Sequence, residues 1–383
     1  MMRRAALVLA GVVGLAGMAQ AEVTIGAVLS LTGPGASLGI PERNVIDMLP
    51  REIAGQAVRF VVLDDASDST AAVKAFQKLV TEEKVDLVIG PSVTPTSLAV
   101  LDAAGMSGTP FISLAGSEAV IVPQEGNRRW AFKLPASEAL MLTAPFDRLK
   151  AQGVKSVASI ALATAFGDAF VVAAKAEAAK RGIEWLGDER YAPTDTSVTP
   201  QALKTMAKNP GAVFIASSGT PGALPVIELK ARGFKGVVVH NMGIANPDFL
   251  RVAGKAADGM ILAASAVTVA EQLPASNAMK QAAMAYVQLY EGKFGPNSRS
   301  LFGAWAWDGF MLLSAALPAA LKGGQPGTPA FRAALRDAME QVKDLYGTCG
   351  VYSMSPGNHN GTDDRALVLI TVENGTWKLV QER

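Results

Sequence analysis

Short, wholly apolar runs alternate with stretches of helical spacing from residue 23 nearly to the end of the chain. Val23-Thr24-Ile25-Gly26-Ala27-Val28-Leu29, Phe60-Val61-Val62-Leu63, Leu87-Val88-Ile89 and Pro110-Phe111-Ile112-Ser113 read as strands. Between them, over Thr70 to Glu83, Ala72, Val73, Phe76, Leu79 and Val80 fall on one face at the i, i+3, i+4, i+7 spacing of an amphipathic helix. Strands this apolar, separated by helices, predict an α/β fold with a parallel sheet covered on both faces.

The alternation then repeats. Val157 to Ile160, Ala212 to Ile215 and Gly236 to Val239 are strands, with helices over Asp168 to Arg181 and Leu224 to Arg232. A second βα lobe is therefore expected from about 138 to 265. Ser276 to Lys293, Phe302 to Leu321 and Pro329 to Val342 follow as helices with no strand between them, and Ala366 to Val372 and Trp377 to Val380 return to strands. A helical block placed there predicts that the chain crosses back to complete the first lobe. At 383 residues the chain exceeds what one core supports, which agrees with two domains.

Arg3 and Arg4, the apolar run Ala5 to Met18 and the small-x-small triplet Ala19-Gln20-Ala21 read as a cleaved signal peptide over 1–21. No Cys follows the run, so no lipid anchor is expected, and no later segment reads as a membrane helix. A periplasmic protein is expected. The formal net charge of +1 carries no field suited to nucleic acid. One cysteine, Cys349, cannot close an internal disulfide and reads as a buried thiol.

Catalysis finds little support in the sequence. His240 and His359 are the only histidines, neither has a partner at metal-ligand spacing, and there is no G-x-S-x-G elbow. No enzyme, no metal and no cofactor are expected. Gly33-Pro34-Gly35-Ala36-Ser37-Leu38-Gly39, with Asp64 and Asp65 ending the next strand, imitates a dinucleotide fingerprint. Its third glycine falls one position late, and Pro34 removes a backbone donor.

Two hydroxyl-rich turns follow neighbouring strands: Gly90-Pro91-Ser92-Val93-Thr94-Pro95-Thr96-Ser97 and Ser113-Leu114-Ala115-Gly116-Ser117. Each fits ordinary helix capping. Together, at the carboxyl ends of parallel strands, they also fit neutral donors for a carboxylate.

Ile25 to Gly39, with Ser30-Leu31-Thr32-Gly33-Pro34 at its centre, resembles the opening of periplasmic solute-binding proteins of the branched-chain amino-acid type. So do the strand, turn, helix and strand from Val88 to Ser113, and Ala306-Trp307-Asp308-Gly309 ahead of an apolar helix. The resemblance covers 22–383. It implies the type I fold of that class, two Rossmann-like lobes with three interlobe crossings, near 136, 265 and 348. Lobe 1 is then 22–136 plus 266–347, and lobe 2 is 137–265 plus 348–383. It also implies a ligand between hinged lobes, docking of a monomer on the membrane permease of an ABC transporter, and no catalysis. Carried over residue by residue, the carboxylate turn falls on Thr94 and the next contact turn on Ala115, Gly116 and Ser117. Leu38, Phe166 and Phe302 become apolar walls, and Ser218 or Gly219 a strand-end contact.

Where amino-acid binders hold the ligand ammonium with an acid, this chain has Met242, and no Asp or Glu follows until Asp248. An ammonium buried without a counter-charge is costly. The expected ligand is thus a small organic acid without an amine, an aromatic or 2-oxo acid, against an adaptable pocket of Leu38, Phe166, Met242 and Phe302. The alternatives are a branched-chain amino-acid binder and a sensory protein docking on a receptor.

Overall fold

The computed structural model describes residues 21–380. The signal-peptide expectation, apart from Ala21, lies outside the described residues.

The first sheet grows from β1 (Val23–Leu29), α1 (Ala36–Met48), β2 (Glu52–Ile53), β3 (Gln56–Asp64), α2 (Ser69–Thr81), β4 (Leu87–Ile89), α3 (Thr94–Ala99), α4 (Leu101–Ser107), β5 (Phe111–Ser113) and β6 (Ala131–Lys133). Its order is β2-β3-β1-β4-β5-β6, parallel except for the β2–β3 pair. Every residue of β1 is buried, because helices cover both faces, and this is why it reads as an unbroken apolar run. Asp68 starts α2 by accepting the Ala71 N–H at 2.8 Å, a cap worth about 1 kcal/mol.

The second sheet begins with α5 (Glu138–Ala151), β7 (Ser156–Leu162), α6 (Ala165–Lys180), β8 (Glu184–Tyr191) and α7 (Thr199–Met206). It continues through β9 (Ala212–Ala216), α8 (Ala223–Ala231), β10 (Val237–His240), α9 (Pro247–Ala253) and β11 (Ile261–Ser265). The chain then runs through α10 (Lys280–Phe294), α11 (Leu301–Gly323), α12 (Pro329–Glu340) and a ribbon of β12 (Leu345–Tyr346) and β13 (Val351–Tyr352). It closes with β14 (Leu367–Glu373) and β15 (Thr376–Leu379), which extend the second sheet antiparallel, in the order β15-β14-β11-β10-β9-β7-β8. Among the late helices, α11 packs on α1 and α12.

By length and composition Leu301–Gly323 qualifies as a membrane-spanning helix. It is instead a core helix, with most of its residues buried against the first lobe. Beyond 348, where the third crossing is expected, the chain still contacts the first sheet. Residues 358–361 still lie against the first sheet: His359 stacks on Phe132 at 4.0 Å, and its carbonyl accepts the Lys133 N–H at 3.0 Å. Asn360 Nδ2 donates to the Lys133 and Pro135 carbonyls at 2.9 and 2.8 Å. The chain joins the second sheet at Leu367. Lys133 Nζ, fully buried, donates to the carbonyls of Pro135 and Ala136 at the first crossing.

Candidate functional site

In each sheet the strand order reverses around the first strand of its unit. β1 sits between β3 and β4, and β7 between β8 and β9. The loops leaving such strands part in opposite directions and open a crevice off their carboxyl ends. Here the two crevices face each other. Leu38 follows β1 and Ser92 and Thr94 follow β4, while Thr164 and Phe166 follow β7 and Ser218 follows β9. They enclose a cavity of ≈ 270 Å³, at the small end of ligand pockets, which start at about 300 Å³.

The lobes already touch across it. The Thr220 N–H donates to Ser37 Oγ at 3.3 Å. A Cβ placed on Gly219 would stand 2.7 Å from both Leu38 Cδ1 and Ser37 Oγ, and one on Gly116 would stand 2.9 Å from Phe166 Cε2. Gly219 has φ 62° and ψ −156°, a region essentially reserved for glycine. The close approach of the walls therefore depends on two residues without side chains.

Of the residues singled out from sequence, Leu38, Thr94, Gly116, Phe166, Ser218, Met242 and Phe302 line this one cavity. Ala115 and Ser117 do not. Ser117 instead caps the short 118–120 turn by accepting the Ala119 N–H at 3.3 Å, and Ala115 is packed inside the first lobe. Ser92, from the first hydroxyl-rich turn, lines the cavity too, as do Thr164, Thr194, Asn241 and Trp305, which carry no such signal in the sequence. Trp305 was discoverable, since it follows Phe302 by one helical turn and its ring packs edge-on against Phe302 at 5.4 Å.

Among the described residues no Asp, Glu, Lys, Arg or His lines the cavity. Asp248, the first acid after Met242, turns to Arg251 at 2.9 Å on the surface. His240 is buried one residue before Asn241, and desolvation pushes its pKa down to about 4, so the ring is neutral at physiological pH. Two lining groups, Thr94 Oγ1 and Asn241 Nδ2, are buried with no hydrogen-bond partner. Unpaired buried polar atoms are rare and destabilising, and each is available to a ligand oxygen.

The ionisable groups sit one layer back, on the first wall. Ser30 Oγ donates to Asp65 Oδ1 at 2.7 Å, and the Ser30 N–H donates to Ser92 Oγ at 3.0 Å. Ser92 Oγ also meets Glu42 Oε2, from α1. Glu42 is wholly buried. Desolvation raises its pKa well above the usual carboxylate range; the Ser92 hydrogen bond opposes this and the Asp65 charge adds to it. Burial also raises Asp65. Asp64 binds the Leu31 and Thr32 N–H groups and the Thr32 hydroxyl. The acids that imitate a ribose-binding signature thus tie down the turn after β1.

Comparison with known proteins follows the same outline. A family model described as periplasmic binding protein matches residues 22–376. An extracellular ligand-binding receptor from Rhodopseudomonas palustris HaA2 is 40% identical, with 94% of this chain and 100% of that chain covered and a TM-score of 0.91. A Leu/Ile/Val-binding protein homolog from Brucella melitensis is 25% identical over 262 residues, covering 66% of this chain and 70% of its own length. A solute binding protein of an ABC transporter from Rhodopseudomonas palustris BisB5, solved with 3,4-dihydroxy benzoic acid, is 21% identical with a TM-score of 0.78. It covers 94% of this chain and 96% of that chain, and likeness at that identity speaks for the fold alone.

Proposed function

The chain belongs to the periplasmic binding protein family, of the branched-chain amino-acid type, and on that premise we propose that it captures a small carboxylate without an amine. The carrying observation is a closed crevice with orphaned neutral donors and no charged lining side chain. Thr94 and its neighbours on the β4 turn grip the acid group. Leu38, Phe166, Met242, Phe302 and Trp305 bury the body, and Asn241 Nδ2 reaches a second oxygen, on the ring or the 2-oxo carbon. A neutral site avoids the desolvation of a fixed charge and holds the anion through aligned donors. Ligand favours the closed state through contacts both lobes make at once, and the closed form is the one we assign to docking on a permease. The lobes would swing about crossings near 136, 265 and 364.

The Brucella relative favours a rival reading, an aliphatic amino acid. Against it stands the missing counter-charge: an ammonium in this cavity meets no acid side chain. A thermal-shift series with benzoate, 4-methyl-2-oxopentanoate and leucine separates the two. Binding at 100-fold over Kd adds about 2.7 kcal/mol, so the acids should raise Tm by several degrees and leucine should not. Stabilisation by leucine with none from either acid overturns the assignment.

A further inference from the structure

Ser92 has one proton and two lone pairs to distribute. One lone pair is taken by the Ser30 N–H at 3.0 Å, and what remains is divided between Glu42 Oε2 and the cavity that Ser92 lines. If Glu42 is ionised, it can only accept. Ser92 must then spend its proton on Glu42, and the free lone pair, an acceptor, faces the cavity. If Glu42 is protonated, its proton occupies the second lone pair of Ser92. The Ser92 hydroxyl is then free to donate into the cavity, beside the orphaned Thr94 Oγ1. We propose that Glu42 is a positioning residue that sets the hydrogen-bond sign of Ser92, so that the site takes a carboxylate only while Glu42 holds its proton.

The surroundings of Glu42 fit a proton-bearing group. Its second oxygen, Oε1, is buried with no partner. No basic side chain pairs with it among the described residues. The segment after β3 presents Asp65, held by Ser30 Oγ and the Ser67 N–H. On α11, Asp308 turns away to Thr348, Cys349 and Tyr352. On α10, Tyr290 hydroxyl accepts from Asn44, and Tyr286 hydroxyl has no partner. On α1 itself, Arg43 and Asp47 pair with each other on the surface. Every ionised group that faces Glu42 is thus negative, as burial alone would also require, and both keep the proton on. An incoming carboxylate adds a further negative charge in the same sense. Ligand and proton therefore bind with positive linkage: Kd rises with pH as Glu42 loses its proton, by up to about tenfold per pH unit for one linked proton.

The proposal rests on the carboxylate reading, and its test distinguishes the two. Kd for benzoate and for 4-methyl-2-oxopentanoate, both ionised throughout, is measured by calorimetry from about pH 6 to about pH 9, in steps of about one unit, each roughly tenfold in proton activity. Wild type should weaken at least about tenfold across that range. Glu42→Gln, whose amide N–H replaces the acid proton toward Ser92, should bind at pH 9 at least about tenfold tighter than wild type at pH 9. Ser92→Ala should lose the pH slope even if Glu42→Gln fails to fold, and Asp65→Asn should keep it. A flat wild-type profile overturns the proton linkage and leaves carboxylate capture standing. A slope that survives in Glu42→Gln assigns the titration elsewhere, for instance to Lys133 at the first crossing, and one that survives in Ser92→Ala but not in Glu42→Gln reduces Glu42 to direct charge repulsion; either overturns the proposal. Failure of both acids to bind at any pH removes the carboxylate reading and this proposal with it.

Discussion

Behind Ser92 on the first wall stand two buried carboxylates, Glu42 and Asp65. Behind Ser218 and Asn241 on the second wall stands a chain of neutral groups. The Tyr191 hydroxyl lies 2.7 Å from Ser217 Oγ and 3.1 Å from the Pro221 carbonyl, and the Ser217 N–H reaches Asn241 Oδ1 at 3.4 Å. Both sheets deliver their turns to the crevice in the same way, at a reversal of strand order. They differ in what holds those turns. The first wall rests on buried ionisable groups, the second on groups whose charge is fixed across the whole physiological range. Burial holds the Tyr191 hydroxyl protonated and His240 neutral. The lesson is that a cavity with no charged lining can still have buried carboxylates one layer behind one of its walls.

The largest test puts a charge on the fixed side. Asn241→Asp should cost an acid ligand on the order of 3 kcal/mol, about a 100-fold rise in Kd, and should bring leucine binding within the range of calorimetry. If the acid still binds unchanged, Asn241 does not face it. Next, Gly219→Val places a Cβ against Leu38 and Ser37 in a backbone region that disfavours any side chain. Closure should fail, with Kd rising by about 30-fold or more and with small-angle scattering showing no compaction on adding benzoate. Compaction like that of wild type would mean that the walls do not need this contact. Thr94→Val, on the first wall, removes one donor and should weaken acids by about tenfold with Tm of the free protein nearly constant. An equal Kd takes Thr94 out of the site. The smallest effect belongs to Tyr191→Phe, which should lower stability by about 1 kcal/mol and leave the pH profile of binding as it was. A changed profile would show that the second wall is adjustable too.

The sequence reading placed the central strands well because strands buried on both faces leave unbroken apolar runs: Leu87–Ile89 begins and ends where the run does. It missed β8, whose Glu184, Asp188, Glu189 and Arg190 carry the polarity of an edge strand paired only with β7. β6 is three residues long and ends in Lys133, a residue type rarely found wholly buried. At the site, Leu38, Phe166, Met242 and Phe302 were legible from resemblance and pattern. Ser117 was not separable from a plain cap, which is what it is. Asn241 precedes Met242 and both line the cavity, and a stretch after a strand does not announce that two neighbours in a row face inward. Glu42 was the least visible. In a helix a lone glutamate ordinarily reads as solvated surface, and only the packing of α1 onto the floor of the crevice turns it inside.

Asn360 stitches the carbonyls of Lys133 and Pro135, so the outgoing and returning passages near β6 bend as one band. A band two strands wide flexes easily along one axis and resists torsion about the other. On the proposed hinge closure the mouth of the molecule would swing like a door on a continuous pin, and any surface that recognises the shut state would have only a single angle to measure.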